Sequence, residues 1–397
     1  MTKPSFTLLA GIGGPVQDGP EPEVVRVPLR GHSTKTIKKK APVGPGTLVA
    51  EHPDPGVGDA HSPILGVVTD VTDTAVIITA GEAKPAKEGE PAPTADPVAP
   101  VAVASLGGDE LRKALKALGV STRPFTKAAV LVVNGLNPEP GTGIAEILLG
   151  DHQATVEKGL ELVQKLVEPP TVLLAVPAGS SATLYGCTVK QVPATYPNSV
   201  NPLVVKALTG KETMDGVALV SVMELYAMGR VAETGLPLTE AVLTVGNAAY
   251  RVKVGTPIAA VLAQAGVAAS PCDRVVVGGP MRGKAVASTD QGVSKDDYAL
   301  TVVPEAAFPP VTDLPCINCG ECVLVCPSRI MPGFVTRYVE FKMYDKAKEF
   351  HLESCMECGM CGYVCTARRP LLQYIRLGKK NLDLQASALT SCRLQGE

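Results

Sequence analysis

The sequence contains no tryptophan, and aromatic residues make up only 4% of its 397 residues. Basic residues are not in excess either, since 37 Lys and Arg face 39 Asp and Glu, for a formal net charge of −2. Proteins that bind nucleic acids use clustered positive charge and aromatic side chains on which bases stack. The two shortages therefore predict that nucleic acid is not among the partners of this chain.

Long apolar runs are also absent. The richest candidate, residues 254–270, is interrupted by Pro257 and Gln264, whereas a membrane-spanning helix needs about 18 or more clean apolar residues. The first fifteen residues lack the apolar stretch of a secretory signal, because glycines interrupt them. We therefore expect neither a signal peptide nor a transmembrane segment, so that a membrane role would come through a partner.

Cysteine is scarce in the first 314 residues and abundant after them. Only two cysteines precede residue 315, whereas eight follow in two copies of C-x2-C-x2-C-x3-C. In twin-cluster ferredoxins this spacing places three thiolates around one [4Fe-4S] cluster, while the fourth cysteine reaches the other cluster. The predicted ligands are Cys316, Cys319, Cys322 and Cys365 for cluster 1, and Cys355, Cys358, Cys361 and Cys326 for cluster 2.

Two other uses of these cysteines fit the pattern less well. Cysteines at i, i+3 and i+6 cannot pair among themselves, and an unsecreted chain meets reducing conditions, which argues against disulfides. Zinc sites would show paired C-x2-C knuckles or histidine ligands, and the only nearby histidine is His351. Zinc stays the alternative to iron–sulfur clusters. The isolated Cys187, Cys272 and Cys392 are interpreted as ordinary thiols.

The segment between the two motifs is predicted to be helical, because the apolar residues of 334–352 recur at helical spacing. The region 301–397 is therefore predicted to be an α-helical ferredoxin module with two [4Fe-4S] clusters and a basic tail. That tail, residues 367–380, carries five basic residues and no acidic one. It suits docking on an acidic partner surface or a solvated helix end.

The first 80 residues are predicted to form a small all-β domain, because Gly and Pro separate short apolar segments between residues 24 and 80. The stretches 42–52 and 61–71 resemble the barrel-sandwich hybrid of lipoyl and biotinyl carriers. No lysine occupies the expected hairpin tip, which argues against a swinging-arm carrier. A linker rich in Pro, Ala and Glu is predicted for residues 81–105.

Two further domains are predicted before the cysteine motifs. Residues 106–235 alternate between helical and strand patterns, which indicates a Rossmann-like domain with a parallel sheet. Ligands of such sheets lie beyond the carboxyl ends of the strands, here the loop 134–143. Residues 236–300 show two strands, a helix and a closing strand, which predicts a β-grasp domain. The fold class is thus multidomain α/β.

The order of these domains resembles the RnfC family, the C subunits of the Rnf electron transport complex, over nearly the whole chain. The similarity is strongest in 278–286, 315–327 and 351–376, and the opening 11–32 is similar to the family's amino-terminal signature. The resemblance implies a Rossmann-like domain of the complex I 51 kDa type. It also implies a peripheral protein on the cytoplasmic face of the inner membrane, which takes a hydride from NADH onto FMN and passes single electrons through two clusters.

The residues that would correspond to the family's FMN and NADH site are Gly119, Asn134 and Glu139. Members of the family bind phosphate with a glycine-rich loop, because exposed backbone N–H groups must approach phosphate oxygens closely. In this chain Gly119 is followed by Val-Ser-Thr, Asn137 replaces an acidic residue, and 195–212 lacks the expected glycines. These departures predict loss of FMN binding, NADH binding or both.

The sequence therefore predicts an electron-transfer subunit of an Rnf-type, ion-translocating membrane oxidoreductase, which relays single electrons through two [4Fe-4S] clusters. The expected partners are the other subunits of such a complex and a redox protein, namely a ferredoxin, a cytochrome or a flavoprotein. One alternative is an FMN-dependent, NADH-oxidising input subunit. Another is a docking or assembly subunit whose clusters are structural.

Overall fold

The structure is a computed structural model that describes residues 4–12, 14–35, 37–81, 96–122, 125–306 and 311–394, with side chains as far as residue 388. It divides into two compact units. The larger unit comprises Thr7–Gly279 and Lys284–Val302. The smaller unit comprises Val303–Glu397 with the segments Met1–Phe6 and Pro280–Gly283. Most of the predicted linker, residues 82–95, lies outside the described residues.

The N-terminal part of the larger unit is made of short strands. Strands β1 to β8 are Phe6–Thr7, Gln17–Asp18, Val24–Pro28, Pro42–Val43, Leu48–Ala50, Ala60–His61, Gly66–Val71 and Ala75–Ala80. Strands β3, β8, β7 and β4 form an antiparallel sheet in that order, and β5 pairs with β6. Alternate residues of β3 are buried, as expected of a sheet with one face on a core. The core includes Val25, Val68 and Ile78. The strands predicted for this segment are present.

The middle of the larger unit alternates strands with helices. Its elements are α1 Gly108–Ala117, β9 Val130–Asn134, α2 Ile144–Asp151, α3 Gln153–Val167, β10 Thr171–Pro177, β11 Thr188–Val192, β12 Thr195–Tyr196, α4 Asn201–Thr209, β13 Val217–Ser221 and α5 Val222–Thr234. Strands β11, β10, β9 and β13 form a parallel sheet in that order. The parallel sheet predicted from the alternating pattern is present.

Helices α3 and α5 approach closely because each has a glycine at the contact. A Cβ on Gly159 would lie 1.9 Å from the carbonyl oxygen of Leu225, and one on Gly229 would lie 1.8 Å from that of Thr155. Contacts this short exclude any side chain at either position. The two helices enclose, with the sheet, the largest apolar core of the chain.

The last part of the larger unit contains a six-stranded sheet and one helix. Its elements are β14 Glu240–Val245, β15 Ala248–Lys253, α6 Ile258–Gln264, β16 Arg274–Val277, β17 Lys284–Ala285 and β18 Ala299–Val303. The strand order is β17, β16, β18, β14, β15, β2. Strands β14 and β15 form a hairpin across a two-residue turn, in which Gly246 has a φ of 57°. Helix α6 packs on this sheet through Ile258, Val261 and Leu262.

The smaller unit is helical. Its elements are α7 Glu321–Leu324, α8 Pro332–Glu340, α9 Tyr344–Glu349, α10 Met360–Tyr363 and α11 Leu371–Leu394. The segment 334–352 is helical as predicted, but α8 and α9 divide it, because the chain turns after α8 with Lys342 at a φ of 57°. There Lys342 N–H donates to Val339 O and Met343 N–H donates to Tyr338 O, a Schellman motif that ends the helix.

In the part of the chain that the structure describes, no helix is both long enough and apolar enough to cross a membrane.

Candidate functional site

The cysteines of the first motif meet one cysteine of the second. A cavity of about 130 Å³ is lined by Cys316, Cys319, Cys322 and Cys365. The helix α7 and the loop before it carry the first three, and the turn after α10 carries the fourth. The structure thus brings together the four residues predicted for cluster 1.

The first three cysteines of the second motif face the last cysteine of the first. Burial, together with the neighbouring charges of Cys355 and Cys326, raises the pKa of Cys358 to about 11. Burial and the same neighbours also raise the pKa of Cys361. The structure therefore places the four residues predicted for cluster 2 within electrostatic range of one another.

Both sets are chemically suited to iron–sulfur clusters. Thiols that are buried beside one another resist ionisation, and a bound metal overcomes this because a coordinating thiol is deprotonated outright. In the described residues, no group of three or more His, Cys, Asp or Glu is placed to hold a single metal ion. The four cysteines of the first set instead surround a cavity, as a cluster of several atoms requires.

Backbone N–H groups point at the sulfur atoms of both sets. Glu357 N–H donates to Cys355 Sγ at 3.4 Å, and Arg369 N–H donates to Cys365 Sγ at 3.5 Å. Gly333 lies beside the first set, where a Cβ would be 3.5 Å from Cys322 Sγ. Hydrogen bonds to ligand sulfurs stabilise the more negative, reduced form of a cluster.

The first set contains an exposed cysteine, whereas two cysteines of the second set are buried. Cys319 is exposed, and its surroundings include the exposed apolar side chains Ile317 (66%) and Phe334 (46%). In contrast, Cys358 and Cys361 are only 7% and 8% exposed. We use the name first-site rim for five exposed apolar residues in and next to the first motif, namely Ile317, Val323, Leu324, Met331 and Phe334.

Ion pairs within the smaller unit engage most of the basic tail. Arg369 is buried and pairs with Glu340 at 2.6 Å. Arg376 and Lys379 both pair with Glu357 at 3.0 Å. Burial would raise the pKa of Glu357, but the hydrogen bonds from Lys379 and Arg376 outweigh it and hold this pKa below its usual value. These three cations therefore act inside the module, and sequence spacing alone gave no signal for their partners.

The loop that would bind phosphate uses its own N–H groups internally. Gly119 N–H donates to Lys116 O, Val120 N–H to Leu115 O and Thr122 N–H to Gly56 O, all at 2.8 to 2.9 Å. The ammonium of the half-buried Lys295 donates to the carbonyl oxygen of Gly119. Donors that are already bonded are not free to hold a phosphate, so this loop does not fit the phosphate group of FMN in the way that a glycine-rich loop does.

The other two predicted nucleotide residues also bond within the chain. Asn134 donates to Ser199 O at 2.9 Å and to Asn201 Oδ1 at 3.0 Å. Glu139 is fully buried, and its carboxylate accepts from Tyr298 OH at 2.5 Å and Gly279 N–H at 3.2 Å. Both side chains therefore stabilise the fold of the larger unit.

Sequence reasoning missed a cavity of about 490 Å³ in the larger unit. Of the three predicted nucleotide residues, only Gly119 lines it. The other lining residues include Tyr226 and Arg230 of α5, Arg251 of β15, and Lys295. The volume lies in the range of small-molecule sites. Its lining comes from segments far apart in the sequence, which is why no local motif marks it.

Comparison with known proteins supports the sequence resemblance. Residues 311–366 match the family described as a 4Fe-4S dicluster domain. The C subunit of the ion-translocating oxidoreductase complex of Buchnera aphidicola is 26% identical over 71% of this chain and 65% of its own length. Its counterpart from Edwardsiella ictaluri is 29% identical over 70% and 38%, and that from Rhodobacter capsulatus is 24% identical over 94% and 80%. The chain is homologous to these C subunits.

The homology confirms the predicted resemblance to the RnfC family, and the family match confirms the predicted iron–sulfur domain within a mixed α/β chain. The first two of these relatives are longer than the matched region, which spans less than two thirds of each. One solved structure, an NAD+-reducing [NiFe]-hydrogenase in the H2-reduced state, is 14% identical, with a TM-score of 0.41 over 68% of this chain and 60% of that chain.

Proposed function

We propose that this chain is an electron-transfer subunit of an Rnf-type, ion-translocating oxidoreductase complex. One observation carries the proposal: two sets of four cysteines, each made of three residues from one motif and one from the other, lie in a homologue of the C subunits of such complexes. We assign Cys316, Cys319, Cys322 and Cys365 to one [4Fe-4S] cluster. We assign Cys355, Cys358, Cys361 and Cys326 to the other.

When bound, each cluster accepts and returns one electron, without a proton and without a change in covalent bonds. A one-electron donor protein is oxidised and a one-electron acceptor protein is reduced. The chain's thiolates hold the iron, and its N–H groups at Glu357 and Arg369 bond the sulfurs. The burial of Cys358 and Cys361 keeps water from the second site.

The first site is the proposed point of exchange with a redox partner. Cys319 is exposed, and the first-site rim offers apolar surface of the kind that protein partners cover. Arg337 adds an exposed positive charge to the same cavity, which suits an acidic partner such as a ferredoxin, a cytochrome or a flavoprotein. The remaining partners are the other subunits of the complex. We place this chain as a peripheral subunit on the cytoplasmic face of the membrane that holds them.

We further assign the domains as they were predicted. The antiparallel sheet within 1–80 suits a barrel-sandwich-like domain, and the parallel sheet within 106–235 suits a Rossmann-like domain of the complex I 51 kDa type. The hairpin and helix within 236–300 suit a β-grasp domain, and residues 301–397 form the ferredoxin module. The linker spans 81–105.

We propose that electrons reach the clusters from a protein rather than from NADH on a flavin of this chain. A hydride donor delivers two electrons at once and needs a flavin to separate them. The internally bonded loop at Gly119 supports this proposal, as do the internal hydrogen bonds of Asn134 and Glu139. The cavity of about 490 Å³ that Gly119 lines has the volume of a small-molecule site, and a flavin found there would overturn the proposal.

The test uses the full chain purified without oxygen. Two [4Fe-4S] clusters predict about eight irons and eight sulfides per chain, two EPR signals after dithionite, and no flavin released on denaturation. If dithionite reduces both clusters and NADH does not, the result would support the relay. Stoichiometric FMN and reduction by NADH would overturn it in favour of the NADH-oxidising input subunit. A chain whose clusters resist dithionite would point to the structural role.

A further inference from the structure

The two cysteine motifs are followed by equivalent helices that differ in charge at one matched position. Helices α8 and α11 begin at matching positions after their motifs, with Pro332 and Leu371. At the matching positions within them, Arg337 corresponds to Arg376, whereas Glu340 corresponds to Lys379. The second copy therefore carries a lysine where the first carries a glutamate.

Lys379 reaches the second site directly. Its Nζ donates to the backbone oxygen of the ligand Cys355 at 2.7 Å and to Glu357 Oε1 at 3.0 Å. Arg376 donates to the other oxygen of the Glu357 carboxylate at 3.0 Å. This group, which we call the second-site ion group, contains two cations and one carboxylate, so it leaves one positive charge next to a cluster ligand.

The first site has no such excess of positive charge. Glu340 pairs with the buried Arg369 at 2.6 Å, and Asp313 lies 3.8 Å from the same guanidinium, so one cation meets two carboxylates. Arg337 lines this cavity together with Arg369, so two cations balance two carboxylates. Arg337, Glu340 and Asp313 are all exposed, and solvent screens the charges of all three. The position of Glu357 is taken by the neutral Asn318.

We infer that Lys379, where the first copy has Glu340, sets the reduction potential of the second site above that of the first. The inference rests on the proposed function, because it requires a cluster at each site. Reduction adds negative charge to a cluster, so a nearby cation favours the reduced form and a nearby carboxylate opposes it. The burial of the second site acts the other way, since it disfavours added charge, and the second-site ion group offsets that effect.

Four single substitutions separate the charge effect from damage to the structure. Lys379→Gln and Glu357→Gln break the same ion pair of 3.0 Å but remove charges of opposite sign. Glu340→Gln is the matched change at the first site. Lys380→Gln is the control, because this neighbouring lysine of α11 is exposed.

The measurement is a potentiometric titration of each full-length protein followed by EPR, with the two signals assigned by their loss in Cys319→Ala and Cys358→Ala variants. We expect Lys379→Gln to lower the equilibrium share of electrons on the second site about tenfold, which is about 59 mV for a one-electron couple. Glu357→Gln should raise this share, Glu340→Gln should raise the share on the first site, and Lys380→Gln should leave both unchanged.

Shifts of the same sign in Lys379→Gln and Glu357→Gln would overturn the inference, because they would indicate that loss of the ion pair, not its charge, moves the potential. Equal shifts in Lys379→Gln and Lys380→Gln would overturn it as well. Both results leave the proposed function intact, since two clusters would still be seen. A wild-type chain without two EPR signals would overturn the proposed function, and the inference with it.

Discussion

The two cysteine motifs have the same spacing and the same backbone but different surroundings. Asn318 and Glu357 occupy matching positions with φ values of 56° and 54°, and Gly320 and Gly359 follow with 80° and 77°. Around this shared frame, the first copy is bordered by the exposed first-site rim. In the second copy Cys358 and Cys361 are buried, and the second-site ion group borders it.

The difference separates what the cysteine spacing determines from what the surrounding residues determine. The spacing of the cysteines determines which thiols meet, because it recurs unchanged in both copies. The residues around the cysteines determine how accessible each site is to solvent and partners, and which charges lie next to it. Two sites with the same ligand spacing can therefore differ in their access to a partner protein and in their potential.

Removing one cysteine should have the largest effect. A cysteine removed from one motif should abolish the cluster that the other motif mainly binds. We expect Cys365→Ala to remove the cluster bound by the first motif, because Cys365 lines the cavity of Cys316, Cys319 and Cys322. Iron should fall from about eight to about four per chain, and one EPR signal should disappear. Iron analysis and EPR of the purified variant measure both.

The matched control for this change is Cys326→Ala, which should remove the other EPR signal. If Cys365→Ala and Cys361→Ala remove the same signal while Cys319→Ala removes the other, each motif holds its own cluster. That outcome would contradict the crossed assignment.

Substituting the glycine after the second cysteine of each motif should have a smaller effect. Any residue with a Cβ at Gly320 or Gly359 would lose about 1 to 2 kcal/mol of stability, because φ is positive at both positions. A Cβ at Gly359 would also lie 2.2 Å from the carbonyl oxygen of Met281, whereas at Gly320 it meets nothing within 4 Å. We therefore expect Gly359→Ala to be less stable than Gly320→Ala by about 1 to 3 kcal/mol.

Thermal unfolding of the two iron-loaded variants, each compared with the wild type, measures this difference. Equal losses of stability would indicate that the segment around Met281 moves aside. The second site would then be less tightly packed than the structure shows.

Much of the cluster module could be predicted from the sequence, because ligand spacing is a local property. The pairing of Cys365 with the first motif follows from that spacing and the general behaviour of twin-cluster ferredoxins. The partners of Arg369 and Lys379 could not be predicted, since Glu340 and Cys355 lie 29 and 24 positions away. Only the folded chain brings these charges to the cysteines.

Two elements of the larger unit are hard to recognise from the sequence, each for a specific reason. Helix α2 buries five of its residues, Ile144, Ala145, Ile147, Leu148 and Leu149, so it lacks the polar face that reveals a helix by its period. Strand β13 runs directly into α5 at Ser221, and a continuous apolar run hides the boundary. The capping box between Ser221 and Glu224 was the one sequence signal available there.

The smallest expected effect concerns the first-site rim. Ile317 is 66% exposed, whereas the matching Met356 is half-buried. Ile317→Ser should therefore change stability by no more than about 0.5 kcal/mol, while Met356→Ser should cost about 1 kcal/mol.

If the first-site rim binds the redox partner, Ile317→Ser should also slow the reduction of the clusters by a reduced ferredoxin. We expect a rate about fivefold lower, the equivalent of about 1 kcal/mol of contact, and no such effect in Met356→Ser. Stopped-flow reduction and thermal unfolding measure the two effects, and equal rates for both variants would place the point of exchange away from the first site.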